Sequence, residues 1–143
     1  MARAPEKVLL DTNVLLSGVL FGGRPGELRE AARDGRVRAV TSLYILREFQ
    51  DVLAGPRFGF AQEVCEELAV ELAGFLEVVP VLSARDRWVS DPDDDPIVET
   101  ALQADAAIVV TGDRRLLEAE VPGLEIVTVA EMLERMTRSD AGR

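Results

Sequence analysis

The chain has 143 residues, 48% hydrophobic and 29% charged, with a formal net charge of −10; this is one domain's length with an ordinary core-forming balance. It has no histidine and one cysteine, Cys65, which excludes Ser-His-Asp and Cys-His catalysis, an intrachain disulfide, and zinc in its usual nitrogen and sulfur shell. The acidic surplus argues against passive coating of nucleic acid, because phosphate is repelled, and P-loop chemistry is excluded by the lack of its glycine-lysine signature.

In chain order, Lys7–Asp11 reads as a buried strand, followed by a glycine-rich turn over Phe21–Gly26. Pro25 suits the start of a helix through Asp34, with Gly35 as its stop. Val37–Thr41 is a second strand, and Ser42 an N-cap for a helix over Leu43–Leu53 that Gly55-Pro56 closes. Ala61–Leu76 carries apolar residues at helical spacing, with Cys65 beside the stripe as a small core residue. Glu77–Leu82 is a third strand and Ser83–Asp95 a polar loop. Pro96–Ala104 is a helix, Ala107–Thr111 a very apolar fourth strand, Arg114–Glu118 a short helix and Glu125–Val129 a fifth strand. Thr128 and Glu131 form a capping box for a last helix through Met136. Residues 1–136 are expected to form a single domain and 137–143 a flexible C-terminal tail.

Continuous apolar strands separated by helices predict an α/β fold, a three-layer α/β/α sandwich around a parallel sheet of about five strands. No apolar run approaches the roughly 20 residues that span a membrane, and the first ten residues lack the apolar region of a signal peptide. A soluble cytoplasmic protein is expected.

What the sequence has in abundance is carboxylate, 26 Asp and Glu against 16 Lys and Arg. In an open parallel sheet, function collects beyond the carboxyl ends of the strands. Asp11 ends the first predicted strand, Glu48 sits in the second turn of the helix after the second, Asp94 borders the helix before the fourth, and Asp113 follows the fourth. All four map to one edge of the sheet. Two carboxylates at about 5 Å repel by roughly 3 kcal/mol at an effective dielectric of 20, a cost that a divalent cation with hard oxygen ligands removes. One Mg²⁺ or Mn²⁺, or two ions, would suit this set. Each acid also has a plain alternative: a turn or cap at Asp11, an exposed helix position at Glu48, a solvated loop at Asp91–Asp95, and a helix cap at Asp113.

Arg24, Arg29, Arg33, Arg36 and Arg38 make one locally positive stretch, either a phosphate-binding patch or a solvated face of spaced ion pairs. Lys7 is the only lysine. That counts against a phosphoacceptor signalling domain, which has a similar acidic pocket but needs a lysine late in the chain.

Taken together, Val8-Leu9-Leu10-Asp11-Thr12-Asn13-Val14, the Ser42–Leu53 helix with Glu48, the run from Asp91 to Leu102, and Val109-Val110-Thr111-Gly112-Asp113 resemble the four motifs of PIN domains in their order and spacing. The resemblance extends from about Lys7 to Met136. It implies a five-stranded parallel sheet and a Mg²⁺- or Mn²⁺-dependent ribonuclease, of the branch similar to VapC toxins. Such proteins typically dimerise and are inhibited by a separate antitoxin protein. Carried over, Asp11, Glu48, Asp94 and Asp113 would form the acidic centre, with Thr12, Asn13 and Thr111 as supporting polar groups. Asp94 is preferred to Asp95 because Ile97 and Ala101 then fall three and seven residues on; Asp91 would be an accessory acid. Arg24, Arg29, Arg114 and Arg115 are candidates for holding flanking RNA phosphates. A catalytically silent PIN-like binding module and a metal-dependent DNA nuclease are the alternatives. The scarcity of aromatics, 5%, leaves no base-stacking platform evident.

Overall fold

In the computed structural model, residues 6–81 and 95–141 are described, with the backbone alone for Asp95 and for 139–141. The strands are β1 (Lys7–Leu10), β2 (Arg38–Ser42), β3 (Glu77–Val79), β4 (Ile108–Val110) and β5 (Glu125–Val127). The helices among the described residues are α1 (Thr12–Leu20), α2 (Gly23–Arg33), α3 (Leu43–Ala54), α4 (Gln62–Ala73), α5 (Asp95–Gln103), α6 (Arg114–Leu117) and α7 (Val129–Ala141). No described helix is long and apolar enough to cross a membrane.

The strands form one parallel sheet, as the apolar runs predict, and their order is β3-β2-β1-β4-β5. β1 is the middle strand, and its Val8, Leu9 and Leu10 are buried. From β1 the chain moves outward to β2 and β3, then crosses back to β4 and β5 on the other side. With right-handed crossovers, that reversal puts the helices of the two halves on opposite faces, and it opens a crevice beyond the carboxyl ends of β1 and β4.

α1 is the element the sequence conceals. Its residues Val14, Leu15, Leu16 and Gly18 are buried on several sides, so no polar stripe marks a helical period. The helix forms because Asp11 caps it and because α2 and α3 pack against it. The crossing with α2 is close: a Cβ placed on Gly18 would lie 3.0 Å from the carbonyl oxygen of Pro25 and 3.4 Å from Cβ of Arg29.

Most other differences lie at element ends. α2 begins two residues before Pro25 and stops where Gly35 takes φ 79°. There the amides of Gly35 and Arg36 return to the carbonyls of Ala32 and Ala31, a Schellman closure. Asp105 plays the same part after α5 at φ 55°, with Ala106 N–H bonded to the Ala101 carbonyl at 2.8 Å. β3 is shorter than predicted and ends before Pro80, which lacks the N–H a ladder needs. β5 ends early because Thr128 and Glu131 form the predicted capping box. α7 runs through Ala141, past Met136 where the sequence reading ends the helix and begins a tail. No glycine or proline interrupts Thr137–Ala141, and the Thr137 hydroxyl bonds back to the Leu133 carbonyl.

The core joins both faces of the sheet, and Phe49, Ile45 and Leu53 on α3 are fully buried within it, as is Leu72 on α4. Cys65 is buried there too. Phe49→Ala should lower stability by about 3–5 kcal/mol in chemical denaturation, whereas Val70→Ala, at a residue 71% exposed, should change it by less than about 0.5 kcal/mol.

Candidate active site

β1 and β4 end in step. Leu10 pairs with Val110, so the next residues, Asp11 and Thr111, emerge side by side at the carboxyl edge. Asp11 is only 6% exposed. Its amide bonds to the Val110 carbonyl at 3.1 Å, its Oδ1 accepts from Val14 N–H at 3.0 Å, and its Oδ2 accepts from the Thr111 hydroxyl. The carboxylate is thus an N-cap and a strand-end ligand at once. Thr111 is fully buried, and its hydroxyl oxygen also accepts from Asp113 N–H at 3.0 Å. Asp113 caps α6, taking Arg115 N–H on its Oδ1 at 2.9 Å. One threonine hydroxyl therefore links the two aspartates.

On the β2 side, Ser42 caps α3 as predicted, its Oγ accepting from Ile45 N–H. That cap fixes the helix that carries Glu48. The Thr12 hydroxyl donates to Glu48 Oε1, tying α1 to α3. Asp11, Thr12, Asn13, Glu48 and Asp113 line one cleft of about 240 Å³, with Val52 and Ile97 as apolar walls.

Three of the four predicted acids therefore line the same cleft. Asp94 and Asp91 lie outside the described residues, and Asp95 opens α5 with only its backbone described. The arginines divide. Arg114 and Arg115 are exposed on α6, directly after Asp113. Arg24 and Arg29 belong to α2 and do not line the cleft. Arg29 pairs with Glu71 of α4 and with Glu30, and its guanidinium lies 5.9 Å from the Phe75 ring centre, so it clamps α2 onto α4. Sequence reasoning used Ile97 only as a spacing marker for Asp94, and assigned no part to Val52 or to Glu99, an acid on α5 that is buried and engaged with neighbours. A charged residue between Val98 and Thr100, with Ile97 and Ala101 close by, was the available signal.

Among the described residues, no three acidic or cysteine side chains stand together as a ready-made metal cluster. The donors still suit Mg²⁺ or Mn²⁺: they are hard oxygens, and Mg²⁺ commonly uses one or two carboxylates and keeps several waters. Asp11 is the buried acid of the cleft. Burial pushes its pKa up, the Thr111 hydroxyl and the Val14 and Asn13 amides oppose this, and the nearby Asp113 charge raises it further. The folded protein therefore holds this proton more tightly than the unfolded chain does. Without a cation, stability should fall as pH rises from the ordinary carboxylate range through the raised folded pKa. Asp11→Asn keeps an N-cap and removes the buried charge. In EDTA at pH 7 it should melt at a higher temperature than the parent and show a flatter pH dependence; an unchanged or lower melting temperature would contradict this account.

A PIN domain profile matches residues 7–115. Among the solved structures that match are two with the same fold. VapBC2 from Rickettsia felis, solved bound to a DNA fragment from its promoter, aligns with TM-score 0.59 at 14% identity, covering 85% of this chain and 98% of that one. PAE2754 from Pyrobaculum aerophilum aligns with TM-score 0.61 at 14% identity, covering 93% and 90%. No curated protein sequence matches the chain. The profile spans well over half of the sequence, and the chain belongs to the PIN domain family, whose members are typically nucleases.

Proposed function

We propose that this protein is a divalent-metal-dependent endoribonuclease and the toxin of a toxin–antitoxin pair. The observation that carries the reading is the convergence of Asp11, Glu48 and Asp113 on one cleft at the strand-order reversal of a PIN sheet. Asp11 and Asp113 would hold Mg²⁺ or Mn²⁺, one ion or two, with Glu48 and Asp94 completing the acidic centre. A cation bound there would supply charge neutralisation at the scissile phosphate and acidify water. In the reaction, water adds to phosphorus and a ribose oxygen leaves.

The chain's own groups orient these parts. Thr111 holds one oxygen of Asp11 and the Asp113 amide, and Thr12 holds one oxygen of Glu48. Asn13 presents a neutral polar group to the cleft, and Arg114 and Arg115 stand where a flanking phosphate could be met. An antitoxin protein is the proposed partner, and a homodimer the proposed assembly. The VapBC2 likeness supports the toxin–antitoxin setting through the fold alone.

Purified protein should cleave single-stranded RNA with Mn²⁺ or Mg²⁺, lose that activity in EDTA, and leave DNA of the same sequence intact. Asp11→Asn and Asp113→Asn should reduce cleavage by about 100-fold or more while circular dichroism stays native. Full cleavage by folded Asp11→Asn would move the chemistry elsewhere, and cleavage of DNA alone would favour the DNA nuclease. Thr111→Val, which removes only the hydroxyl that orients both aspartates, should weaken Mn²⁺ affinity about 10- to 100-fold by calorimetry.

A further inference from the structure

Phenylalanine is scarce in this chain, yet three of its five residues gather at one place. Phe21, the C-cap of α1, lies with its ring 6.5 Å from that of Phe58, and Phe58 lies 6.3 Å from Phe60. The guanidinium of Arg57 covers the Phe58 ring at 5.0 Å. Phe60 packs against the core, but Phe21 is 68% exposed and Phe58 half-buried outside it. The cluster is firmly built. Phe58 and Gly59 return their amides to the Gly55 carbonyl, and Phe60 returns its own to Leu53, so the turn is pinned to the end of α3. Among the described residues no carboxylate pairs with Arg57.

The cluster sits at the far end of the two helices that line the cleft. Of the residues of α1 and its C-cap that reach solvent, Asn13, Ser17, Leu20 and Phe21 follow the i, i+4, i+7, i+8 spacing of one helical stripe, with Val19 beside it. It begins at the cleft with Asn13 and ends at the exposed ring. On α3, Glu48 and Val52 line the cleft, and the Gly55–Phe60 turn follows. Helical rise sets Phe21 roughly 15 Å along the axis from Asp11, a few nucleotides of extended strand.

We propose that Phe21, Phe58 and Arg57 form a base-stacking platform for single-stranded RNA, a few nucleotides from the cleavage cleft. The inference rests on the ribonuclease reading and names its substrate class. An exposed ring offers a face to any base, and stacking on it requires the base to be unpaired. Arg57 adds a cation in a chain of net charge −10, where an incoming phosphate otherwise meets repulsion. Duplex RNA, with its bases already stacked, gains nothing from these rings.

The test measures binding of a fluorescent mixed-sequence RNA oligonucleotide, single-stranded or in duplex, by anisotropy in the Asp11→Asn background with Mn²⁺ present. Cleavage is assayed in the otherwise unaltered protein. Phe21→Ala and Phe58→Ala remove side chains outside the core, so native circular dichroism is expected of both. Each should weaken single-strand binding about tenfold, Phe21→Trp should retain it, and duplex binding should not change. Single-strand binding and cleavage that are indifferent to Phe21→Ala would overturn the platform while leaving the nuclease in place. Loss of self-association in Phe21→Ala with RNA affinity intact would make the cluster a protein contact and overturn the platform too. Absence of RNA binding and cleavage in the unsubstituted protein would remove both readings.

Discussion

A carboxylate buried at the end of the central strand is the constraint around which this molecule is arranged. Asp11 follows the middle strand of the described sheet, and it is nearly closed off from solvent. Desolvating an ionised carboxylate is costly unless its oxygens are satisfied. The fold meets that demand from two directions, an amide in the first turn of α1 and the hydroxyl at the end of β4, while the Asp11 backbone amide is held separately by the Val110 carbonyl. The hydroxyl is placed by the parallel register of β1 and β4, and the amide by the helix that Asp11 itself caps. The acid therefore depends on the sheet, and α1 depends on the acid for its cap.

The distribution of arginine follows from the same electrostatics. In a strongly acidic chain, cations are drawn into local pairing. Arg29 and Arg33 reach Glu71, Arg135 reaches Glu125, and Lys7 reaches Glu77. These contacts brace α2 on α4 and α7 on β5, with individually small stabilities where the partners are exposed. The positive stretch from Arg24 to Arg38 is therefore in part a set of braces, and a count of charges along the sequence does not separate that role from phosphate binding.

The strands were legible because each is a short, continuous apolar run bounded by a breaker or a polar turn, as a doubly covered parallel sheet requires. Ser42 and the Thr128/Glu131 pair were legible as caps because their chemistry is local. Asp11, Glu48 and Asp113 could be brought together on paper since strand ends share an edge. α1 was not legible, because a helix buried on several sides has no polar stripe and Thr12–Leu20 contains β-branched residues and a glycine. The turn to left-handed backbone after α5 was hidden by an aspartate standing where glycine is usual. The aromatic cluster was invisible for another reason. Composition reports how many rings a chain has, and only the packing of the turn after α3 against the end of α1 reports that three of them meet.

The close crossing at Gly18 gives α1 the character of a lever. One end is fixed at the strand edge by its cap, and the fulcrum lies where the backbones of α1 and α2 come near enough that a methyl group would touch the Pro25 carbonyl. The other end carries an exposed ring. With the capped end held, a change of a few tenths of an ångström at the fulcrum swings the free end, since close-packed interiors transmit strain. The spacing between the acidic cleft and Phe21 is then set by a residue that belongs to neither.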